Sequence, residues 1–124
     1  MTDAPNGEIT LQTIAMPADA NGNGDIFGGW LMAQMDLGAS VLARQRAKGR
    51  VATVAVDAMQ FHLPVQVGDV VSIYSDMVRQ GRTSMAIQVE VWAQHLGPEE
   101  PLKVTQALFT FVAIDDQGEK RPLP

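Results

Sequence analysis

A single carboxylate interrupts the most apolar helical stretch of the chain. Asp36 lies between Met35 and Leu37, with Trp30, Leu31, Met32, Val41 and Leu42 on either side. Aspartate is a poor residue for a helix interior, and burying its charge is costly without a partner. A desolvated carboxylate is nevertheless suited to general-base work. The plainer alternative is a structural aspartate, hydrogen-bonded to Ser40 or to a neighbouring strand. Spacing adds a second feature, because Gly29, Met32, Ala33, Asp36 and Ser40 share one helical face. The carboxylate therefore looks along the side of the helix that begins at Gly28 and Gly29.

Just before those glycines, residues 19–25 read DANGNGD. Oxygen ligands at Asp19, Asn21 and Asn23, with Gly24 in the sixth place, match the start of a calcium loop. The match then fails. The twelfth place, which must supply a bidentate carboxylate, is Trp30, and the residues ahead carry Pro17 and a short strand pattern. No Gly-Lys-Ser/Thr follows the glycines, so a phosphate-cradling P-loop is excluded as well. His62 and His95 are isolated in sequence and form no zinc spacing. No metal is expected. What remains is a flexible approach to a helix N-terminus whose first N–H groups, at Gly28 and Gly29, are unobstructed by side chains. Such a place suits an anion, or a carbonyl oxygen acquiring negative charge. A tight turn packed against a strand would use the same glycines.

The chain that must position these groups has 124 residues, enough for one domain with a real core. An apolar fraction of 46% excludes a disordered chain. The net charge of −5 argues against a general nucleic-acid binder. Without cysteine there is no disulfide, thiolate nucleophile or thiolate metal site. No apolar run is long enough for membrane insertion, and the first residues lack the pattern of a signal peptide. A cytoplasmic location is the expectation.

Residues 8–15 read as a short strand ended by Pro17. From Gly28 to Lys48 the pattern is helical and apolar in nearly every direction, which predicts a buried helix capped at Gly49. Residues 51–63, 70–79, 83–93 and 102–114 read as long strands. In the third of these, Met85, Ile87, Val89 and Val91 alternate with Ser84, Gln88 and Glu90. Gln80-Gly81-Arg82 has hairpin length, so the sheet should be antiparallel. The expected fold is α+β, a single domain over residues 1–124 with the sheet wrapped around the helix. One helix cannot cover that much sheet, so at least a dimer is expected.

Several segments, in order over roughly residues 10–124, resemble the hotdog-fold acyl-CoA thioesterases, specifically the small bacterial YciA-like group related to the cytosolic acyl-CoA hydrolases of animals. They are MPADANGNGDIFGGWLMAQMDLG (16–38), GRVATVAVDAMQFHLPVQVGDVV (49–71), VRQGRTSMAIQVEVW (78–92) and FTFVAIDDQGEKRPLP (109–124). The resemblance implies a long central helix wrapped by a five- to six-stranded antiparallel sheet. It implies homodimers with shared active sites, assembled further into trimers of dimers, and hydrolysis of acyl-CoA to a free acid and CoA without a cofactor. It assigns Asp36 as the essential carboxylate, Asp25 as a residue lining the same site from the opposite subunit, and the Gly28 and Gly29 amides as carbonyl-polarising donors. Asn23 and Gly81-Arg82-Thr83-Ser84 become contacts for substrate and CoA. Asp36 either activates water or attacks directly to give an anhydride. A non-catalytic acyl-CoA-binding or sensing protein is the alternative. A dehydratase on this fold would need a histidine on the helix or at its glycine-rich approach, where neither His62 nor His95 is expected.

Overall fold

The computed structural model describes residues 4–97 and 99–124. Strand β1 (Glu8–Ile14) is followed by a 3-10 turn (Pro17–Asp19) and the helix α1 (Gly28–Ala47). Then come β2 (Val51–Phe61), β3 (Val70–Gln80), β4 (Ser84–Gln94) and β5 (Leu102–Ala113). All five strands form one sheet in the order β1-β3-β4-β5-β2, each neighbouring pair antiparallel. The strands on either side of α1 in sequence thus occupy opposite edges, and the helix must carry the chain across the whole sheet. Four inter-strand steps amount to roughly 19 Å. A helix of 20 residues spans about 30 Å and makes the crossing.

α1 buries Leu31, Met35, Ala39, Ala43 and Ala47, an unbroken spacing of four, together with Gly38. These residues share one core with Ile73, Met85, Ile87, Val89, Phe109 and Phe111 from the sheet. Small residues along the line bring helix and sheet close. At Gly38 a Cβ would sit 2.8 Å from Ile73 Cγ2. The prediction of a helix buried all round is not met in the single chain: Met32, Leu37 and Val41 are 41%, 56% and 41% exposed. A single sheet covers one side of a helix, and the opposite side keeps its apolar residues in the open.

The helix ends one residue earlier than predicted. Lys48, at φ 53°, is the left-handed cap, and its N–H donates to the Arg44 carbonyl. Gly49 instead leaves room for a side chain, since a Cβ there would lie 2.8 Å from the tip of the Arg121 guanidinium, which would have to shift. Arg121 Nη2 donates to the Ala47 carbonyl at 2.8 Å, satisfying one of the acceptors that a helix C-terminus leaves open.

The alternation in β4 is also only half a description. Met85, Ile87, Val89 and Val91 are buried as predicted, but Glu90 on the other face is buried too. Its carboxylate accepts from Trp92 Nε1 at 2.9 Å and Asn6 Nδ2 at 3.1 Å, with Lys103 Nζ at 3.8 Å. β2 differs from the other long strands. It is an edge, its residues 53–58 are exposed, and the ladder to β5 slips between Asp57 and Gln60. Ala58 adopts φ 56° there, a left-handed conformation of the kind found in β-bulges. An unpaired edge carrying Val54 and Val56 in the open is a ready template for another strand.

Candidate active site

Asp36 is partly exposed in the single chain, contrary to the expectation of a buried carboxylate. Its partner is a strand residue that sequence reasoning did not single out. Thr53 Oγ1, near the start of β2, donates to Asp36 Oδ1 at 2.6 Å, the short distance of a hydroxyl–carboxylate bond. Ser40 is not involved, as its hydroxyl donates to the Leu37 carbonyl at 2.7 Å. The signal for Thr53 was a hydroxyl in a run otherwise composed of Val and Ala, but only the helix–strand packing shows which residue it faces. Asp36 and Thr53 line a cleft of about 290 Å³ together with Gly29, Met32, Ala33, Val56 and Phe109. The helical face read from spacing is thus the face that forms the cleft. Phe109 belongs to the core and stacks on Phe111 with ring centroids 6.4 Å apart, so one wall is rigid.

Asp25 and Gly28 line a second cleft, of about 340 Å³, with Leu31, Phe61, His62, Leu63, Pro64 and Val65. The start of α1 separates the two clefts: Gly28 faces one and Gly29 the other. Phe61 closes over Gly28, where a Cβ would lie 3.3 Å from its ring. Around Gly29 a Cβ would meet nothing within 4 Å. The N-cap is Phe27, which provides no side-chain acceptor, and the first turn of α1 contains no acidic residue. The positive end of the helix dipole is therefore left unneutralised by side chains of its own first turn. His62, isolated in sequence, lies in the Asp25 cleft beside the glycine-rich approach, which sequence reasoning had discounted.

The loop that resembled a calcium site uses its oxygens internally. Asn21 Oδ1 accepts the N–H groups of Asn23 at 2.8 Å and Asp25 at 3.2 Å. Asn21 N–H donates to the Asp25 carbonyl at 2.7 Å. Asp19 Oδ2 accepts from Met16 N–H at 3.1 Å. Gly24, at φ 87°, makes the reversal. Asn21 is therefore the residue that shapes the loop and sets the direction of Asp25. Asn23 lies on the exposed tip.

Gly81, Arg82, Thr83 and Ser84 form the β3–β4 turn, closed by Gly81 N–H donating to the Ser84 carbonyl at 2.9 Å. The turn is tied to the C-terminal segment, because Leu123 N–H donates to the Arg82 carbonyl at 2.8 Å. Arg46, in the last turn of α1, donates to Gln80 Oε1 at 2.6 Å and to the Pro124 carbonyl at 3.1 Å. The turn therefore lies beside the C-terminal end of α1, away from Gly28 and Gly29. Within one chain the predicted site residues fall into three places: Asp36 with Gly29, Asp25 with Gly28, and the 81–84 turn.

Residues 23–99 match the model of the thioesterase superfamily. The chain is 53% identical to the acyl-CoA thioester hydrolase YciA of Salmonella typhimurium, over 100% of this chain and 96% of that protein. It is 51% identical to YciA of Escherichia coli, over 98% and 95%. Among solved structures, the hexameric thioesterase of Yersinia pestis superposes with a TM-score of 0.94 at 52% identity, covering 98% of each chain. The hexameric broad specificity acyl-coenzyme A thioesterase HI0827, solved as a variant with one aspartate changed to alanine, gives 0.93 at 50% identity, over 96% and 88%. A hexameric hotdog fold thioesterase of Campylobacter jejuni gives 0.89 at 40%, over 95% and 91%. A long helix crossing a five-stranded antiparallel sheet is the hotdog fold, and this chain belongs to the thioesterase superfamily.

Proposed function

We propose that the chain hydrolyses acyl-CoA thioesters to the free acid and CoA, with Asp36 as the working carboxylate. The observation that carries this reading is the Thr53–Asp36 hydrogen bond in a cleft that opens at Gly29. One carboxylate oxygen is held, the other is left to face a substrate, and the thioester carbonyl lies over the amides at the helix start. As the carbonyl carbon becomes tetrahedral, its oxygen gains negative charge, and the Gly28 and Gly29 N–H groups with the helix dipole stabilise it. Asp36 removes a proton from attacking water, or attacks the carbonyl carbon itself to form an anhydride that water then opens. Either route expels CoA as the thiolate, which takes up a proton. No resident metal or prosthetic group enters the scheme.

The placing of Asp25 and Asp36 in separate clefts supports a site completed between subunits. A second copy pairing along the free β2 edge would cover the exposed Val54 and Val56. Its Asp25 cleft would then face the Asp36 cleft of the first. The exposed Met32, Leu37 and Val41 support the same contact. Similarity to hexameric thioesterases favours further assembly into a trimer of dimers. The 81–84 turn lies at the far end of α1, so we assign Arg82, Thr83 and Ser84 to the CoA phosphates of a site in a neighbouring subunit. Arg82 is exposed there, and a guanidinium forms charge-assisted bonds to phosphate. Asn23 is assigned to the substrate at the tip of the Asp25 loop. We place the protein in the cytoplasm; no helix among the described residues is long and apolar enough to cross a membrane.

Thiol release from acyl-CoA substrates of graded chain length tests the activity. Release by the wild type and its loss in Asp36→Ala support the hydrolase. Tight acyl-CoA binding without release by either protein would instead support a sensor. A single turnover in isotope-labelled water separates the two chemical routes, since label found in Asp36 itself requires the anhydride.

A further inference from the structure

The turn after β2 holds the second cleft in place, and a histidine outside both clefts holds that turn. Asp69 is 2% exposed, and both of its carboxylate oxygens are engaged. Oδ2 accepts the Gln66 N–H at 2.9 Å, while Oδ1 lies 2.7 Å from His95 Nδ1. The backbone of the turn is joined to two other segments. Gly68 N–H donates to the Ala15 carbonyl at 2.8 Å, and Ala15 N–H donates to the Asp69 carbonyl at 3.0 Å. Gln66 forms an antiparallel bridge with Asp25, and Ile26 N–H donates to the Val65 carbonyl at 2.8 Å. Any displacement of residues 65–69 therefore displaces Asp25.

We infer that His95 acts through Asp69 as a positioning residue for the Asp25 wall of the thioester site. This rests on the assignment of Asp25 to that site. His95 directly follows β4, the central strand of the sheet, so the turn is tied to a residue next to the best-anchored strand. Removing the imidazole leaves Asp69 Oδ1 buried without its partner, and the cheapest remedy is for the turn to open toward water. Opening moves Gln66, and through the bridge it moves Asp25. The imidazole is held protonated above its ordinary pKa, first by the hydrogen bond to Asp69 and then by that carboxylate's charge. Desolvation opposes this, and the charge of Glu99 from the β4–β5 loop adds to it. Among the described residues, Asp69 and Glu99 are the charged groups that act on His95. The proton is therefore kept to a higher pH than on a free imidazole, and the tie weakens, without vanishing, once the imidazole is neutral.

The test compares His95→Leu, His95→Asn, Asp25→Ala and the double variant Asp25→Ala/His95→Leu in the full assembly. Thermal unfolding and oligomeric size are recorded alongside thiol release. His95→Leu is expected to lower kcat/KM about 3- to 10-fold while the assembly stays folded. His95→Asn keeps a donor near the Nδ1 position and should recover most of the loss. It should also lack the decline expected of the wild type as His95 deprotonates. In the Asp25→Ala background His95→Leu should cost nothing further, because the group it positions is gone. Equal losses in both backgrounds would overturn the inference, as would full activity of His95→Leu. If Asp25→Ala itself keeps wild-type activity, the assignment of Asp25 falls and takes this inference with it. If Asp25→Ala is impaired and His95→Leu is not, only the inference falls.

Discussion

Gly38→Ala is a small change whose sign is set by two opposing terms. In a helix interior alanine is favoured over glycine by about 1 kcal/mol, and on that ground alone the variant would be more stable. The added Cβ, however, would lie 2.8 Å from Ile73 Cγ2, 3.0 Å from Thr10 Oγ1 and 3.1 Å from Ile73 Cβ. Ile73 is fully buried on β3, which is paired on both sides by β1 and β4. It has no room to turn away. Overpacking of this kind costs about 1–3 kcal/mol, so the net effect is a loss of about 0–2 kcal/mol. At this chain length, roughly 3–5 °C of Tm corresponds to each kcal/mol. The helix would relieve the overlap by lifting from the sheet near Gly38, one half-turn from Asp36. The 2.6 Å bond from Thr53 would then lengthen, and kcat should fall with the stability. The measurement is thermal unfolding at fixed protomer concentration, paired with thiol release. A Gly38→Ala protein about 1 kcal/mol more stable than the wild type, with unchanged kcat, would refute the close-packing argument outright.

Three further outcomes follow from the site. Thr53→Val keeps the shape of the side chain but removes the donor to Asp36. A hydrogen bond to a charged group is worth about 1.5–3 kcal/mol, and the partial exposure of Asp36 points to the lower end. We expect kcat/KM to fall roughly tenfold and Tm to fall by about 5 °C on the scale above, and unaltered kinetics would remove Thr53 from the mechanism. Gly29→Ala meets no neighbour in the single chain, so its stability should stay within about 1 kcal/mol of wild type. Its activity should nevertheless drop if the space beside Gly29 takes the substrate carbonyl, as proposed. Retention of full kcat would show that the space is unused. The His95–Asp69 pair gives stability with a defined sign. Because Asp69 raises the His95 pKa in the folded state, the contribution is complete below the unfolded histidine value and is lost as pH rises through the raised one. The Tm difference between wild type and His95→Asn should shrink over that window, and a difference that grows with pH would contradict it.

The fold was largely readable because its elements carry strong periodic signals. The spacing of four from Leu31 to Ala47 and the alternation from Met85 to Val91 each specify a buried face. What failed was inference about faces the single chain does not cover. Met32, Leu37 and Val41 are as apolar as the buried residues, so a sequence cannot distinguish a core face from one left open for another subunit. The helix cap was misplaced because Gly49 is the expected left-handed residue. The sequence does not reveal that Arg121, 72 residues further along the chain, passes beside Gly49 to reach the Ala47 carbonyl. The lining of the candidate cleft was legible where it lies within one helix, as with Gly29, Met32, Ala33 and Asp36. Thr53 escaped notice and Asn21 was read only as a calcium-type oxygen ligand, because their roles depend on what they face: one reaches a helix from a strand, and the other folds its own loop.

The exposure of Asp36 in the single chain gives a physical reason for the proposed assembly. A carboxylate in contact with bulk water is a weak base, and the helix-start amides act on a carbonyl oxygen only as strongly as the surrounding dielectric permits. The Asp36 cleft has a rigid floor in Phe109 but no roof, because Val56 and Thr53 stand on the unpaired β2 edge and Met32 of α1 is exposed as well. A roof brought by a second copy would exclude water, cover apolar side chains and supply the Asp25 wall in a single step. The apolar burial that holds the subunits together would then also create the low-dielectric site. Activity and association should accordingly rise and fall together as protomer concentration is varied, because the same surfaces serve both.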